Sequence, residues 1–232
     1  MGRGRYPARL KVVPPPEELA ARYLHIWPGH TLYAHAEQFP PLSSPGLFGN
    51  EQPLALDIGC ATGELVLALA AASPECNYVG LDIVAKPLWR AVERAAAADL
   101  RNVCFIQADA RLAYRQIPAA SLAMAYVHFP APLLRNRQRN QRLISPTLLT
   151  QMERCLAPEG RLSIMTDQPA LFAECETLLL HHPGLLPLPP EAWSVALTGM
   201  IKSHYYQRWE DRGRPILRLE LMHNLRTALT GS

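Results

Sequence analysis

The stretch Leu54-Ala55-Leu56-Asp57-Ile58-Gly59-Cys60-Ala61-Thr62-Gly63 decides how this chain is read. An apolar run ends in an acid and a loop of small residues, and a helix-forming run, Glu64 to Ala72, follows at once. A strand that turns sharply into a helix leaves backbone N–H groups at the helix start. Small residues there let a ligand approach the backbone closely. The next acid at a strand end is Asp82, in Tyr78-Val79-Gly80-Leu81-Asp82. It follows the loop at roughly the 20-residue spacing of a ribose-binding acid. The pattern predicts the nucleotide site of a doubly wound α/β domain.

Outward from that stretch the chain alternates strand and helix. Strands are expected at 54–58, 77–82, 103–107, 122–128 and 161–165, and helices at 62–72, 85–98, 146–156 and 169–181. Pro146 suits the first turn of its helix. Such alternation implies parallel pairing with right-handed crossovers, so ligands bind outside the carboxyl ends of the strands. Asp82, Asp109, His128 to Pro132 and Thr166-Asp167 all fall at that edge. The tail, 191–223, reads as two strands around a polar loop, Ser203 to Arg214, with Ile216 to Met222 as the second strand. Toward the N-terminus, 17–27 reads as a short helix ending near Pro28. Residues 28–53, broken by five prolines and three glycines, read as an irregular approach segment able to act as a flap. The prolines at 14–16 exclude a helix through the first residues, which carry Arg3, Arg5, Arg9 and Lys11. These residues read as a frayed terminus or as a basic arm for nucleic acid. The expected organisation is an arm and flap over 1–53 and one domain over 54–232.

The 232 residues are 49% hydrophobic, which allows a sizeable core and excludes wholesale disorder. No apolar run reaches the ~18–20 residues of a membrane span. No charged-then-apolar secretory signal opens the chain. The five cysteines form no C-x-x-C pair and read as free thiols of a reducing compartment, so a cytoplasmic location is expected. The net charge of +3 does not by itself announce a nucleic-acid binder, but Arg135, Arg137, Arg139 and Arg142 lie within eight residues that hold no acid. Arginine-rich loops grip phosphate with planar donor forks.

The loop spells Gly59-x-Ala61-x-Gly63, with Glu64 where a dinucleotide fingerprint needs glycine, so a nicotinamide dinucleotide is disfavoured. No Walker-type Lys-Ser/Thr follows. Together with Asp57, Asp82 and the pair Asp109-Ala110, the loop resembles that of Rossmann-like S-adenosylmethionine-dependent methyltransferases. The resemblance implies S-adenosylmethionine as cofactor. Gly59, Ala61 and Gly63 would let the methionine part approach, and Asp82 would accept from the ribose hydroxyls. Asp109 would accept from the adenine amine beside Ala110 N–H, and Asp57 would balance the amino or sulfonium charge. It also implies a mostly parallel sheet with an antiparallel strand near the C-terminus.

At the fourth strand the resemblance sharpens. Val127-His128-Phe129-Pro130-Ala131-Pro132, the run Arg135 to Arg142, Arg142-Leu143-Ile144-Ser145-Pro146, Thr166-Asp167 and Ser203-x-x-Tyr206 with Gly213-Arg214-Pro215-Ile216 resemble the transfer-RNA (guanine-N7)-methyltransferase family over about residues 54–222. The family resemblance implies tRNA as partner, no metal and no membrane contact. It places Arg135, Arg137, Arg139, Ser203 and Tyr206 on the substrate side, with Asp167 as the substrate-binding and catalytic acid. Ala131 stands at a cofactor position where only its backbone could contact a ligand. Oligomeric state is left as monomer or weak homodimer.

Three positions depart from the family pattern. Ala131 replaces the acid of Pro-Asp-Pro, Leu133 replaces the following tryptophan, and Tyr206 replaces the acid of Thr-x-x-Glu. Three readings therefore stay open. The favoured one is guanine-N7 methylation of tRNA. The others are methylation of a different RNA or small molecule, and a non-catalytic RNA-binding pseudo-methyltransferase.

Overall fold

The computed structural model describes residues 10–131, 142–193 and 203–224. It divides into two compact units, Met1–Pro118 and Ala119–Ser232.

The first unit runs α1 (Glu17–Tyr23), β1 (Leu24–Ile26), α2 (Gly29–Ala34), α3 (Ser44–Phe48), β2 (Leu54–Ile58), α4 (Glu64–Ala72), β3 (Asn77–Asp82), α5 (Ala85–Ala97), β4 (Val103–Gln107) and α6 (Ala110–Ala113). Its strands lie in the order β1-β4-β3-β2, and the pairs are parallel. Every residue of β2 is buried, as its continuous apolar run requires. The register sets Asp57 against Gly80 and Asp82 against Gln107. Gly80 is where β3 passes the nucleotide loop. A Cβ there would stand 2.8 Å from both Cys60 Sγ and the Phe105 ring. Helix α5 buries Leu88, Ala91, Val92 and Ala95, one stripe at helical spacing.

Strands 54–58, 77–82 and 103–107 stand where the sequence put them. Further upstream it does less well. The helix expected over 17–27 stops at Tyr23, and Leu24–Ile26 turn into an edge strand along Phe105–Gln107. Three residues carry no alternation to recognise; the open edge of β4 recruits them. The segment 28–53 is more ordered than its prolines suggest. Ser43 caps α3 by accepting from Gly46 N at 3.2 Å, and Asn77 Nδ2 donates to Ser44 Oγ and Asn50 Oδ1 at 2.9 and 2.6 Å.

The second unit holds β5 (Leu122–His128), α7 (Pro146–Cys155), β6 (Leu156–Thr166), α8 (Pro169–Leu179), β7 (Leu185–Pro187), α9 (His204–Glu210) and β8 (Leu217–His223). The order is β5-β6-β8-β7; β5 and β6 are parallel, and β8 runs antiparallel to both its neighbours. Both units are thus α/β; the first is all parallel, and the second carries the one reversed strand, near the C-terminus. Ser145 caps α7 by accepting from Leu148 N, with Pro146 in the first turn as expected. Strand β6 begins five residues earlier than its apolar run. Glu159 takes a left-handed φ of 62°, and the register slips between Leu122 and Met124, so the chain crosses Pro158 and Gly160 as a bulge.

The tail needs a larger correction. The loop expected at Ser203 to Arg214 contains helix α9, capped by Ser203 Oγ accepting from Tyr206 N at 3.3 Å. The second tail strand is present as β8. The first would fall largely on 194–202, outside the described residues. On β8, Glu220 is fully buried and pairs with the partly exposed Arg161 and the buried Arg218, so the polar face of that strand carries an ion-pair cluster. All five cysteines are free thiols. Among the described residues no helix is long and apolar enough to cross a membrane.

Candidate functional site

The first unit gathers three acids and a left-handed loop at the carboxyl ends of β2, β3 and β4. Gly59, Ala61 and Gly63 all have positive φ, at 86°, 49° and 69°. A Cβ on Gly59 would meet nothing within 4 Å, so the space before the loop is open. Gly63 faces the core instead, where a Cβ would stand 2.8 Å from the Phe105 ring. Asp82 holds the loop from the side: its Oδ2 accepts from Ala61 N at 3.0 Å and its Oδ1 from Val84 N at 2.9 Å. Burial raises its pKa, opposed by the hydrogen bonds from the Val84, Ala61 and Ile83 N–H groups.

Asp57 is 5% exposed, and no hydrogen bond to its carboxylate is found among the described residues. Burial, with the negative charge of Asp82 added, pushes its pKa up to about 7. A buried carboxylate without donors is poorly solvated until a cation reaches it. Asp109 caps α6, accepting from Arg111 N at 3.0 Å, and the Arg111 guanidinium closes back on both its oxygens. That ion pair, chiefly, holds Asp109 below the usual carboxylate range. Ala110 opens the same short helix. Sequence reasoning gave Arg111 no role. The only signal is its place two residues after Asp109.

The second unit builds another constellation, at the carboxyl ends of β5 and β6. His128 ends β5, its Nε2 3.0 Å from Ser163 Oγ. Burial, and then the charge of Arg218, brings its pKa down to about 3, so it is a neutral, satisfied strand-end histidine. Phe129 follows with φ of 50°, a region costly for an aromatic residue, and its N–H donates to Met165 O at 2.7 Å. Helix α9 lays Tyr205 and Tyr206 on this ring, with centroids at 6.4 and 6.5 Å. Ala131 is exposed just beyond.

Asp167, after β6, is 4% exposed. Its Oδ2 accepts from Gln168 Nε2 at 2.6 Å and from Arg214 Nη1 at 3.1 Å. Arg214 in turn lies over the buried Trp209 ring at 4.5 Å, with Arg208 over the same ring at 5.2 Å. Trp209 therefore packs. Of the arginine loop, Arg135, Arg137 and Arg139 lie outside the described residues, as do Arg3, Arg5 and Arg9 of the arm. Arg142 is a structural member: it is largely buried and donates to Glu174 Oε1 at 2.6 Å, tying the loop's end to α8.

Residues 51–219 match a family described as "Putative methyltransferase". A solved structure of the 16S rRNA methyltransferase KamB is similar in fold, with a TM-score of 0.55 at 18% identity over 82% of this chain and 93% of that one. A SAM dependent methyltransferase from Aquifex aeolicus is also similar, with a TM-score of 0.50 at 13% identity over 75% of this chain and 85% of that one. The family match over most of the chain makes this a methyltransferase, on a Rossmann-like fold. A tRNA (guanine-N(7)-)-methyltransferase of Chloroflexus aurantiacus is 57% identical over 222 residues, covering 95% of this chain and 98% of its own. The chain belongs to the tRNA (guanine-N(7)-)-methyltransferase family.

Proposed function

We propose that this protein is an S-adenosylmethionine-dependent methyltransferase acting on guanine N7 in tRNA, in the cytoplasm. The observation that carries the donor side is Asp57, a buried carboxylate lacking hydrogen-bond donors beside a left-handed small-residue loop. Such a site fits a ligand that brings a positive charge to it. When bound, S-adenosylmethionine supplies an electrophilic methyl group on a sulfonium. Asp57 would offset its amino or sulfonium charge, Asp82 would accept from the ribose hydroxyls, and Asp109 with Ala110 would hold the adenine edge. Gly59 and Ala61 keep the loop backbone bare for the methionine part, while Gly63 lets the loop pack against Phe105. For Asp109, Arg111 must share or yield an oxygen, which makes this contact the adjustable one.

On the acceptor side, guanine N7 bears an in-plane lone pair and no proton. Accepting a methyl group needs no general base and leaves the ring cationic. Ala131 therefore does not remove an indispensable proton acceptor. Positioning can carry much of the rate, up to ~7–11 kcal/mol in favourable cases. Asp167 is the acid that would take over one guanine contact and offset the developing charge, and for this Gln168 and Arg214 must share or yield its Oδ2. The faces of Tyr205 and Tyr206, backed by the buried Phe129 ring, suit stacking on a base and attract a cation, in a place where the family carries a carboxylate. Ser203 serves this platform by capping its helix. Arg135, Arg137 and Arg139 contact the RNA backbone.

The test supplies labelled cofactor and unmodified bulk tRNA, then digests the RNA and looks for 7-methylguanosine. Its appearance with wild type, and its loss with Asp82→Ala, is expected. Cofactor binding without any methylated guanosine would move the protein to the altered-substrate or pseudoenzyme readings. No cofactor binding at all would sink the methyltransferase reading.

A further inference from the structure

We propose that Tyr33 and Arg115 form a separate RNA contact that takes one unpaired nucleotide of the tRNA: Tyr33 stacks on its base and Arg115 holds an adjoining phosphate. This inference rests on the tRNA reading above and deepens it.

The two residues meet at the surface of the first unit. Helix α2 turns Leu32 into the core and leaves the next residue, Tyr33, 68% exposed. Arg115 lies in the 3₁₀ turn Tyr114–Gln116 that continues α6, and its guanidinium stands 5.8 Å from the centroid of the Tyr33 ring. That is close to the ~6 Å limit of a cation–π contact, so the arginine flanks the ring and leaves most of it open. The other arginines described in this unit each pair with a carboxylate: Arg22 and Arg101 with Asp99, Arg90 with Glu93, Arg94 with Glu64 and Arg111 with Asp109. Among the described residues no hydrogen bond or ion pair engages the Arg115 guanidinium, so its whole donor fork is available to a phosphate.

The seat of this pair is fixed on both sides. Gln116 Nε2 donates to Ala36 O at 2.6 Å, and Gln116 O accepts from Leu42 N–H at 2.7 Å, which ties the chain after α2 to the turn that carries Arg115. Before α2, Trp27 N–H donates to Gln107 O at 3.0 Å, and the buried Trp27 ring packs on Phe39 at 5.5 Å. A platform held in this way binds without first having to be ordered. Its place is beside the donor site of the same unit. Helix α2 packs against α6, with an added Cβ on Gly29 falling 3.5 Å from Leu112, and α6 opens at Asp109 and Ala110. A tRNA that receives the methyl group extends far beyond the reacting guanine, so a contact here adds affinity without touching the reacting atoms. The chemistry also selects what is held. Paired bases hide their faces in the stack, so only an unpaired nucleotide can lie on Tyr33.

The experiment measures binding and methylation of an unmodified tRNA transcript by wild type, Tyr33→Ala, Tyr33→Phe and Arg115→Gln, with S-adenosylhomocysteine affinity as the folding control. Tyr33→Ala is expected to raise Kd and KM for tRNA by roughly 5- to 150-fold, the range of one lost base stack. Its kcat at saturating tRNA and its S-adenosylhomocysteine affinity should stay within about twofold of wild type. Tyr33→Phe keeps the ring face and should restore tRNA binding to within about threefold. Arg115→Gln should weaken tRNA binding and reduce its slope against log salt by about 0.7–0.9, the share of one phosphate. An unchanged KM in Tyr33→Ala, an equal loss in Tyr33→Phe, or an unchanged salt slope in Arg115→Gln would overturn the assignment while leaving the tRNA reading intact. So would weakened S-adenosylhomocysteine binding in Tyr33→Ala or Arg115→Gln, which would make the pair a support of the donor site instead. Failure of the wild type to bind or methylate tRNA at all would overturn both.

Discussion

Asp57 should be a liability in the free protein and an asset in the loaded one. Its carboxyl is buried, and burial with the nearby Asp82 charge lifts its pKa from 3.8 to about 7. The sign follows from proton counting. Below pH ~4 the group is protonated folded and unfolded, and contributes nothing. Between about 4 and 7 the folded state holds the proton that the unfolded state has lost, so stability falls as pH rises. Above about 7 both forms are charged and the cost is at its ceiling. At about 1.4 kcal/mol per pH unit, that ceiling is about 4 kcal/mol. Asp57→Asn removes the charge in a nearly equal volume. In the absence of cofactor it should therefore melt higher than wild type at pH 8, by about 2–4 °C for each kcal/mol recovered. The margin should shrink steadily toward pH 4.5. The same variant should bind S-adenosylmethionine more weakly, since the anion that meets the ligand's positive charge is gone. The assay is thermal unfolding of both proteins from pH 4.5 to 8.5, with calorimetric titration of cofactor at pH 8. A variant no more stable than wild type at pH 8, or a margin equal at pH 5 and pH 8, would refute the reasoning.

Asp82→Ala should weaken S-adenosylmethionine by roughly 100-fold, because it deletes the ribose acceptor and leaves the Ala61 and Val84 N–H groups without their partner; calorimetry showing a loss below threefold would contradict this. Glu220→Ala should cost about 3–5 kcal/mol in urea unfolding, since it strands the buried Arg218 as well as Arg161. Two glycines of nearly equal φ separate conformational strain from crowding. Gly49→Ala, with nothing within 4 Å of the new Cβ, should cost only about 1–2 kcal/mol. Gly63→Ala meets Phe105 at 2.8 Å and Ala91 at 2.9 Å and should cost about 1–3 kcal/mol more by the same measurement.

Much of the fold was legible because buried parallel strands announce themselves. Leu54–Ile58, Asn77–Asp82, Val103–Gln107 and Leu122–His128 are apolar runs closed by polar residues, and their bounds could be read directly. The nucleotide loop was legible for a similar local reason: its small residues and its two strand-end acids sit at fixed spacing. Leu24–Ile26 could not be read, because three residues hold no period and only the vacant edge of β4 makes them a strand. Helix α9 was hidden by its polar composition, His-Tyr-Tyr-Gln-Arg-Trp-Glu, although Ser203 offered a cap that could have marked its start.

By itself, then, the sequence determined the α/β class, the order of the main strands, and which acids end them, since each rests on neighbours within a few residues. Tertiary structure alone decided what surrounds those acids. Asp57 owes its raised pKa to burial and to Asp82, 25 positions on. Asp167 meets Arg214, 47 positions on, and Arg214 lies over Trp209. Arg142 left the phosphate-binding set because Glu174 captures it. Electrostatics and side-chain aim depend on distance through space, and no local pattern encodes which distant group the folded chain brings near.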